Sequence, residues 1–300
     1  VAMSSATLPQ TFQDLAFYWL VTYAQSHKAA SSINRDKGIL RNYLLPRFGQ
    51  LMLNEFRAKE VEMWITNLVI EGAMSKKSAN DVLIVLNKIL NDAVRWEMLP
   101  SNQVSRVTKF SISERDFTFW KISEVKRFLG YFLVMKDPPR LFWFSAVAVY
   151  TGMRRGEIQA LRWQDIDERA GLMTIKRSYC RVSKVFKEET KSKKNRHVPI
   201  NATLSTILQH LRKLGSTGLV IPFVNPDCFR NEFRRLCKEA RVPLIRFHDL
   251  RHTFASNFLM GGGNIYDLQK ILGHSTVQVT ERYAHLAPGH LSGKTEVLGF

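Results

Sequence analysis

Cysteine is scarce in this 300-residue chain, and the three present, Cys180, Cys228 and Cys237, form no C-x-x-C pair. An odd number without that spacing suits a reducing compartment and indicates neither a disulfide framework nor a zinc site. Long apolar runs are missing too. The longest, LFWFSAVAVYTGM from Leu141, is interrupted by Ser and Thr and falls short of the roughly 20 residues that cross a bilayer, so it reads as a core helix. No basic-then-apolar-then-small pattern opens the chain, so the expected location is the cytoplasm, without a membrane partner. Internal repeats and low-complexity tracts are absent. Acidic residues are outnumbered, 26 against 44 Lys plus Arg. The imbalance is uneven: residues 1–105 hold 11 basic and 9 acidic side chains, residues 106–300 hold 33 and 17. A second half that basic attracts polyanions, nucleic acid first among them, with an anionic membrane as the competing surface.

What is present supports two domains with real cores, since 45% of the residues are hydrophobic and 11% aromatic. Ala79, Val82, Leu83, Leu86, Ile89, Leu90 and Ala93 repeat at the three-four spacing of one buried helical stripe, as do Phe12, Leu15, Tyr18 and Trp19. Residues 1–105 therefore read as a helical bundle. The polar, aperiodic stretch 106–116 reads as an interdomain linker, and 117–300 as a second domain with a tail at 286–300. That second domain opens with helical patterns near Ile122–Val134 and Leu141–Tyr150. GLMTIKRSYC, RVSKVFKEE and NRHVPI then read as a small antiparallel sheet. The helical period returns after Asn201, with Gly261–Gly263 expected as a flexible joint. The fold class is mainly α with a small antiparallel β-sheet.

Four segments carry chemistry. In TGMRRGE, Gly152 is placed to cap the preceding helix and Arg154 to start the next, with Glu157 three residues on and within reach of its guanidinium. Between Lys176 and Arg196 lie nine basic and two acidic residues. That run reads equally as a solvated face touching DNA phosphates and as a catalytic hairpin. HDLRHTFASNF sets His248 and Arg251 one turn apart beside a stripe of Leu250, Phe254 and Phe258, where two donors meet one oxyanion. LGHSTVQVTERYAH adds His274 and Tyr283. Taken singly, Arg154 reads as a capping arginine, His248 as a core histidine and Tyr283 as a packing tyrosine. Together they suffice for metal-free phosphoryl transfer. Guanidinium forks neutralise non-bridging oxygens, a cation protonates the leaving alkoxide, and a tyrosine activated by its surroundings supplies the nucleophile.

TGMRRGEIQALRW, TKSKKNRHVPI, HDLRHTFAS and LGHSTVQVTERYAH occur in the order, and with the local patterns, of the tyrosine site-specific recombinases, the phage integrase family, which residues 117–285 resemble. The helical segment resembles the family's core-type DNA-binding domain, the two domains closing on duplex DNA as a C-shaped clamp. The resemblance implies that Tyr283 is the nucleophile, leaving a 3′-phosphotyrosyl link and a free 5′-hydroxyl, so that no ATP, metal or other cofactor is used. It implies that Arg154 and Arg251 hold the non-bridging oxygens and that Lys191 protonates the leaving oxygen, with Lys193 and Lys194 on the same turn competing for that role. His248 assists proton removal, His274 hydrogen-bonds near the phosphate, and Glu157 supports the first arginine. Lys193, Lys194 and Arg196 are candidate DNA-phosphate contacts. Implied partners are double-stranded attachment sites, three further protomers of a tetramer on DNA built from free monomers, and DNA-bending or directionality factors, in a bacterial nucleoid setting. The apolar end of the tail, Val297, Leu298 and Phe300, is expected to dock on a neighbouring protomer or to fold back. Integration and excision of a prophage or genomic island is the first reading, and chromosome-dimer resolution the second. A type IB topoisomerase, a non-catalytic DNA-binding or architectural protein and a metal-dependent nuclease complete the alternatives. The six reactive positions speak against a mere binding module, and the lack of an acidic cluster in the motifs against the nuclease.

Overall fold

A computed structural model describes residues 9–113, 117–190, 195–215 and 218–287. The chain separates into two compact units, Val1–Arg115 and Asp116–Phe300. In the first unit, the helix Phe12–Trp19 starts at a capping box in which the Thr11 hydroxyl accepts the Asp14 N–H. The longest helix, Lys76–Arg95, is capped by Ser75 and buries all seven residues of the expected stripe. Phe12, Leu15 and Trp19 face it from the first helix, whereas Tyr18 lies at the margin, edge-on to Trp96.

Two buried carboxylates tie this bundle together. Asp92 accepts the Trp19 indole N–H at 2.7 Å and pairs with Lys88 and Arg95. Asp36 pairs with Lys28 and Arg35. The stretch expected as a linker is partly structural. Asn80 donates to the Phe110 carbonyl and accepts the Phe110 N–H, both at 2.9 Å, and Phe110 packs on the first core. A polar, aperiodic sequence hid this, because one apolar ring and a side-chain amide carry the attachment.

In the second unit the helix Arg140–Thr151 runs through the centre, with every residue from Leu141 to Val149 buried. Each of its large apolar side chains contributes about 1.5–3 kcal/mol by leaving water. Around it pack the helices Ile122–Leu133, Ala202–Lys213, Phe229–Glu239 and Asp249–Met260. Strand β1 (Ile166–Asp167) pairs antiparallel with β2 (Leu172–Ile175), which pairs antiparallel with β5 (Arg196–Pro199). Strands β3 (Ser178–Cys180) and β4 (Val185–Lys187) form a separate two-stranded hairpin rather than joining one sheet. Along β5, Arg196 and Val198 are buried while His197 and Pro199 are exposed, the alternation a half-buried strand imposes.

The expected joint at Gly261–Gly263 is a tight turn. Gly263 donates to the Phe258 carbonyl at 2.9 Å, and a Cβ there would lie 2.2 Å from the Phe258 ring. Among the described residues no helix is long and apolar enough to cross a membrane.

Candidate active site

Two helix ends build the site. The helices Arg140–Thr151 and Ile265–Leu272 each finish on a left-handed glycine, Gly152 at φ +61° and Gly273 at φ +67°. Such a cap frees the last carbonyls, which carry the negative end of the helix dipole and require donors. Arg251 supplies them from the helix Asp249–Met260, giving one Nη to the Gly152 carbonyl and the other to the Leu272 carbonyl, both at 2.7 Å. A larger residue at 152 would not fit, since its Cβ would lie 2.5 Å from Leu272 and 2.6 Å from Phe254. Arg196 gives its Nε to the neighbouring Ile271 carbonyl at 2.7 Å.

Glu157 lies between two guanidiniums. It accepts two hydrogen bonds from Arg196, at 3.0 and 2.6 Å, one from Arg154 Nη1 at 3.0 Å, and the Arg154 backbone N–H at 2.8 Å. Burial pushes its carboxyl up, but Arg196 and then Arg154 overcome that and hold it below the ordinary carboxylate range. This corrects one expectation. Arg196, read as a DNA-phosphate contact, is only 7% exposed, and its fork is turned inward to Glu157 and Ile271. The alternation of NRHVPI carried the signal, because Val198 facing inward brings Arg196 with it.

Arg251 is 4% exposed, and among the described residues its hydrogen-bond partners are carbonyls rather than a carboxylate. Burial and then the neighbouring Arg154 push its guanidinium down to about 9. It stays charged at neutral pH, so the penalty appears as an unmet demand for an anion. The same cations act on the histidines. Burial, then Arg251 and Arg154, push His274 down to about 3, and its Nδ1 meets the Thr280 hydroxyl at 2.8 Å. His248, just before the Arg251 helix, lies at the surface. Partial desolvation and Arg251 keep it below its ordinary value.

Tyr283 is near this cluster but stored. Its ring is 2% exposed and packs on Ala255, Leu259, Leu268 and Leu272. Its hydroxyl lies 2.6 Å from His252 Nδ1, a residue that sequence reasoning missed. Phe117 completes the pocket, stacked on His252 at 4.9 Å and edge-on to Tyr283 at 4.9 Å, with Arg282 over both the Phe117 and Tyr283 rings. Burial raises Tyr283 above its ordinary value of 10.0, while burial and then Arg282 push His252 down to about 4. Both shifts oppose moving the proton from the phenol to the imidazole. The pair is a neutral hydrogen bond, not a phenolate in waiting. Its signal was the spacing of His252, Ala255 and Leu259, one face of the helix Asp249–Met260.

The structure thus places Arg154, His248, His274 and Tyr283 each within electrostatic range of Arg251, with Glu157 paired to the first arginine. Lys191, Lys193 and Lys194 lie outside the described residues, as does the tail at 288–300. Among the described residues no group of three or more His, Cys, Asp or Glu side chains is placed to hold a metal ion.

Residues 121–290 match the model of the phage integrase family, and residues 11–69 that of the phage integrase N-terminal SAM-like domain. The chain belongs to the phage integrase family. Among the relatives of this integrase-family chain, the ICEBs1 integrase of Bacillus subtilis (strain 168) is 27% identical over 272 residues, covering 84% of this chain and 73% of the relative. The integrase of Escherichia phage 186 is 30% identical over 250 residues, covering 81% and 67%. In fold the chain is similar to the Tn1549 transposon integrase in complex with transposon right end DNA, with a TM-score of 0.76 at 17% identity, covering 91% of this chain and 94% of that one.

Proposed function

We propose that this integrase-family recombinase cleaves and rejoins DNA strands at specific sites, with Tyr283 as the nucleophile, and that it integrates and excises a mobile element. The observation that carries the reading is the buried Arg251 fork. It is anchored on two helix ends, lies beside Arg154, has no carboxylate hydrogen-bond partner among the described residues, and interacts electrostatically with a tyrosine. A scissile phosphate supplies the missing charge. Arg154 and Arg251 take its non-bridging oxygens, with His274 donating nearby. Their hold tightens as charge grows on the pentavalent phosphorus, which lowers the barrier rather than merely binding substrate.

The Tyr283 oxygen forms a bond to phosphorus while the bond from phosphorus to the 5′ oxygen breaks. The phenolic proton leaves with help from His248, and Lys191 delivers a proton to the departing 5′ oxygen. The phosphotyrosyl ester conserves the energy of the broken linkage. Attack by a 5′-hydroxyl from the partner strand reverses the step and releases the tyrosine, so neither ATP nor a metal ion is consumed. Two rounds on paired sites pass through a Holliday junction within a tetramer. The less basic bundle positions the duplex while the basic unit grips phosphates.

The test is incubation with nicked DNA bearing the attachment site, in EDTA, followed by denaturing electrophoresis. A covalent adduct mapping to Tyr283, lost in Tyr283→Phe, is expected. An adduct formed by Tyr283→Phe, or one that needs a divalent ion, overturns the mechanism.

A further inference from the structure

In-line attack needs the phenolic oxygen within about 3–3.5 Å of phosphorus, and a ring that is 2% exposed cannot be reached by a duplex. Something must open, and the cover is identifiable. Phe117 is the second residue of the second unit, Asp116–Phe300. Three residues later Trp120 is fully buried and fixed on the Arg251 helix. Its N–H donates to Thr253 Oγ1 at 3.0 Å, its carbonyl accepts from Asn257 at 2.8 Å, and its indole N–H reaches the Pro243 carbonyl at 2.9 Å. Phe117 is thus held close to a fixed anchor, resting on the Tyr283 ring itself and on His252, which holds its hydroxyl.

We propose that His252 and Phe117 are positioning residues that store the Tyr283 ring out of reach of a duplex. The inference rests on Tyr283 being the nucleophile, but storage is measurable without cleavage. His252 holds the hydroxyl and Phe117 closes the apolar pocket. Arg282, stacked over Phe117 and Tyr283, shields the remaining edge. Withdrawal of Phe117 from its His252 stack removes one wall of the pocket, and the ring becomes free to turn toward Arg251.

The experiment is tetranitromethane nitration of the full chain without DNA, mapped by mass spectrometry, with the 60% exposed Tyr266 as internal reference. In the wild type Tyr283 should react at least about tenfold more slowly than Tyr266, in keeping with its burial. Phe117→Ala and His252→Ala should each raise Tyr283 reactivity several-fold relative to Tyr266, while His252→Gln, which keeps an acceptor, should stay near wild type. Should Phe117→Ala fail to fold, Phe117→Leu decides, with an intermediate increase expected.

Equal reactivity of Tyr283 and Tyr266 in the wild type, or unchanged Tyr283 reactivity in the Phe117 and His252→Ala variants, overturns the storage site. Loss of storage with no adduct at Tyr283 in any variant would instead overturn the reading of Tyr283 as nucleophile.

Discussion

Among the described residues the first unit buries charge only as carboxylate, whereas the second buries guanidiniums as well as carboxylates. In the first, the buried partner is a carboxylate, Asp36 or Asp92, and its cations Lys28, Arg35, Lys88 and Arg95 sit partly or largely in water. In the second, guanidiniums are buried: Arg196 and Arg251, with one shared carboxylate, Glu157, serving Arg196 and Arg154 while Arg251 has carbonyls alone. The first arrangement is closed, because water completes the solvation of its cations. The second is open, because burial leaves positive charge that only a ligand can neutralise.

Breaking the open end should have the largest effect. Arg251→Ala is expected to lower adduct formation by about 10³-fold or more while DNA binding by gel shift is largely kept, in line with the loss of a preorganised donor to a developing oxyanion. Arg251→Lys should fare little better, since one ammonium cannot span the Gly152 and Leu272 carbonyls and a phosphate together. Next comes Glu157→Gln, which leaves Arg196 buried without its counter-charge and should destabilise the second unit by about 3–5 kcal/mol, read as a drop in its denaturant midpoint.

A pH titration sharpens the contrast further. His252 sits at about 4 when folded against 6.5 as its ordinary value, so the unfolded chain binds more protons between those limits. Its contribution is complete above pH 6.5 and declines as the pH falls toward 4, the loss reaching about 3 kcal/mol at the acid end. His274, pushed down to about 3, adds to the same acid-side loss. Melting temperature against pH for the wild type and His252→Gln should differ in slope in that window and coincide in shape above it. The smallest effect belongs to the closed end. Asp92→Asn should cost about 2 kcal/mol through weakened bonds to Lys88, Arg95 and Trp19, with the adduct rate per bound complex unchanged.

Much of this was legible in the chain. The stripe from Ala79 to Ala93 declared its helix, and the three-residue spacing of Arg154 and Glu157 declared their pairing. So did the glycine at 152, placed to end one helix before the next began. What stayed hidden depended on residues distant in sequence. The spacing of His252 with Ala255 and Leu259 marks a buried face, but its role is set by Tyr283, 31 residues on, and by Phe117 on another segment. Arg196 was read by its charge when its strand position governed, and the inserted hairpin β3–β4 looked like sheet continuation because pairing partners are not written into short β-branched runs.

Arg251 also has a role in construction. It joins a carbonyl 99 positions earlier to one 21 positions later, so three stretches of the polypeptide share a single knot. Hybrids that splice related recombinases anywhere between Gly152 and Gly273 inherit mismatched halves of that knot. Swaps that carry all three stretches from one parent keep it tied, and should yield working chimaeras more often.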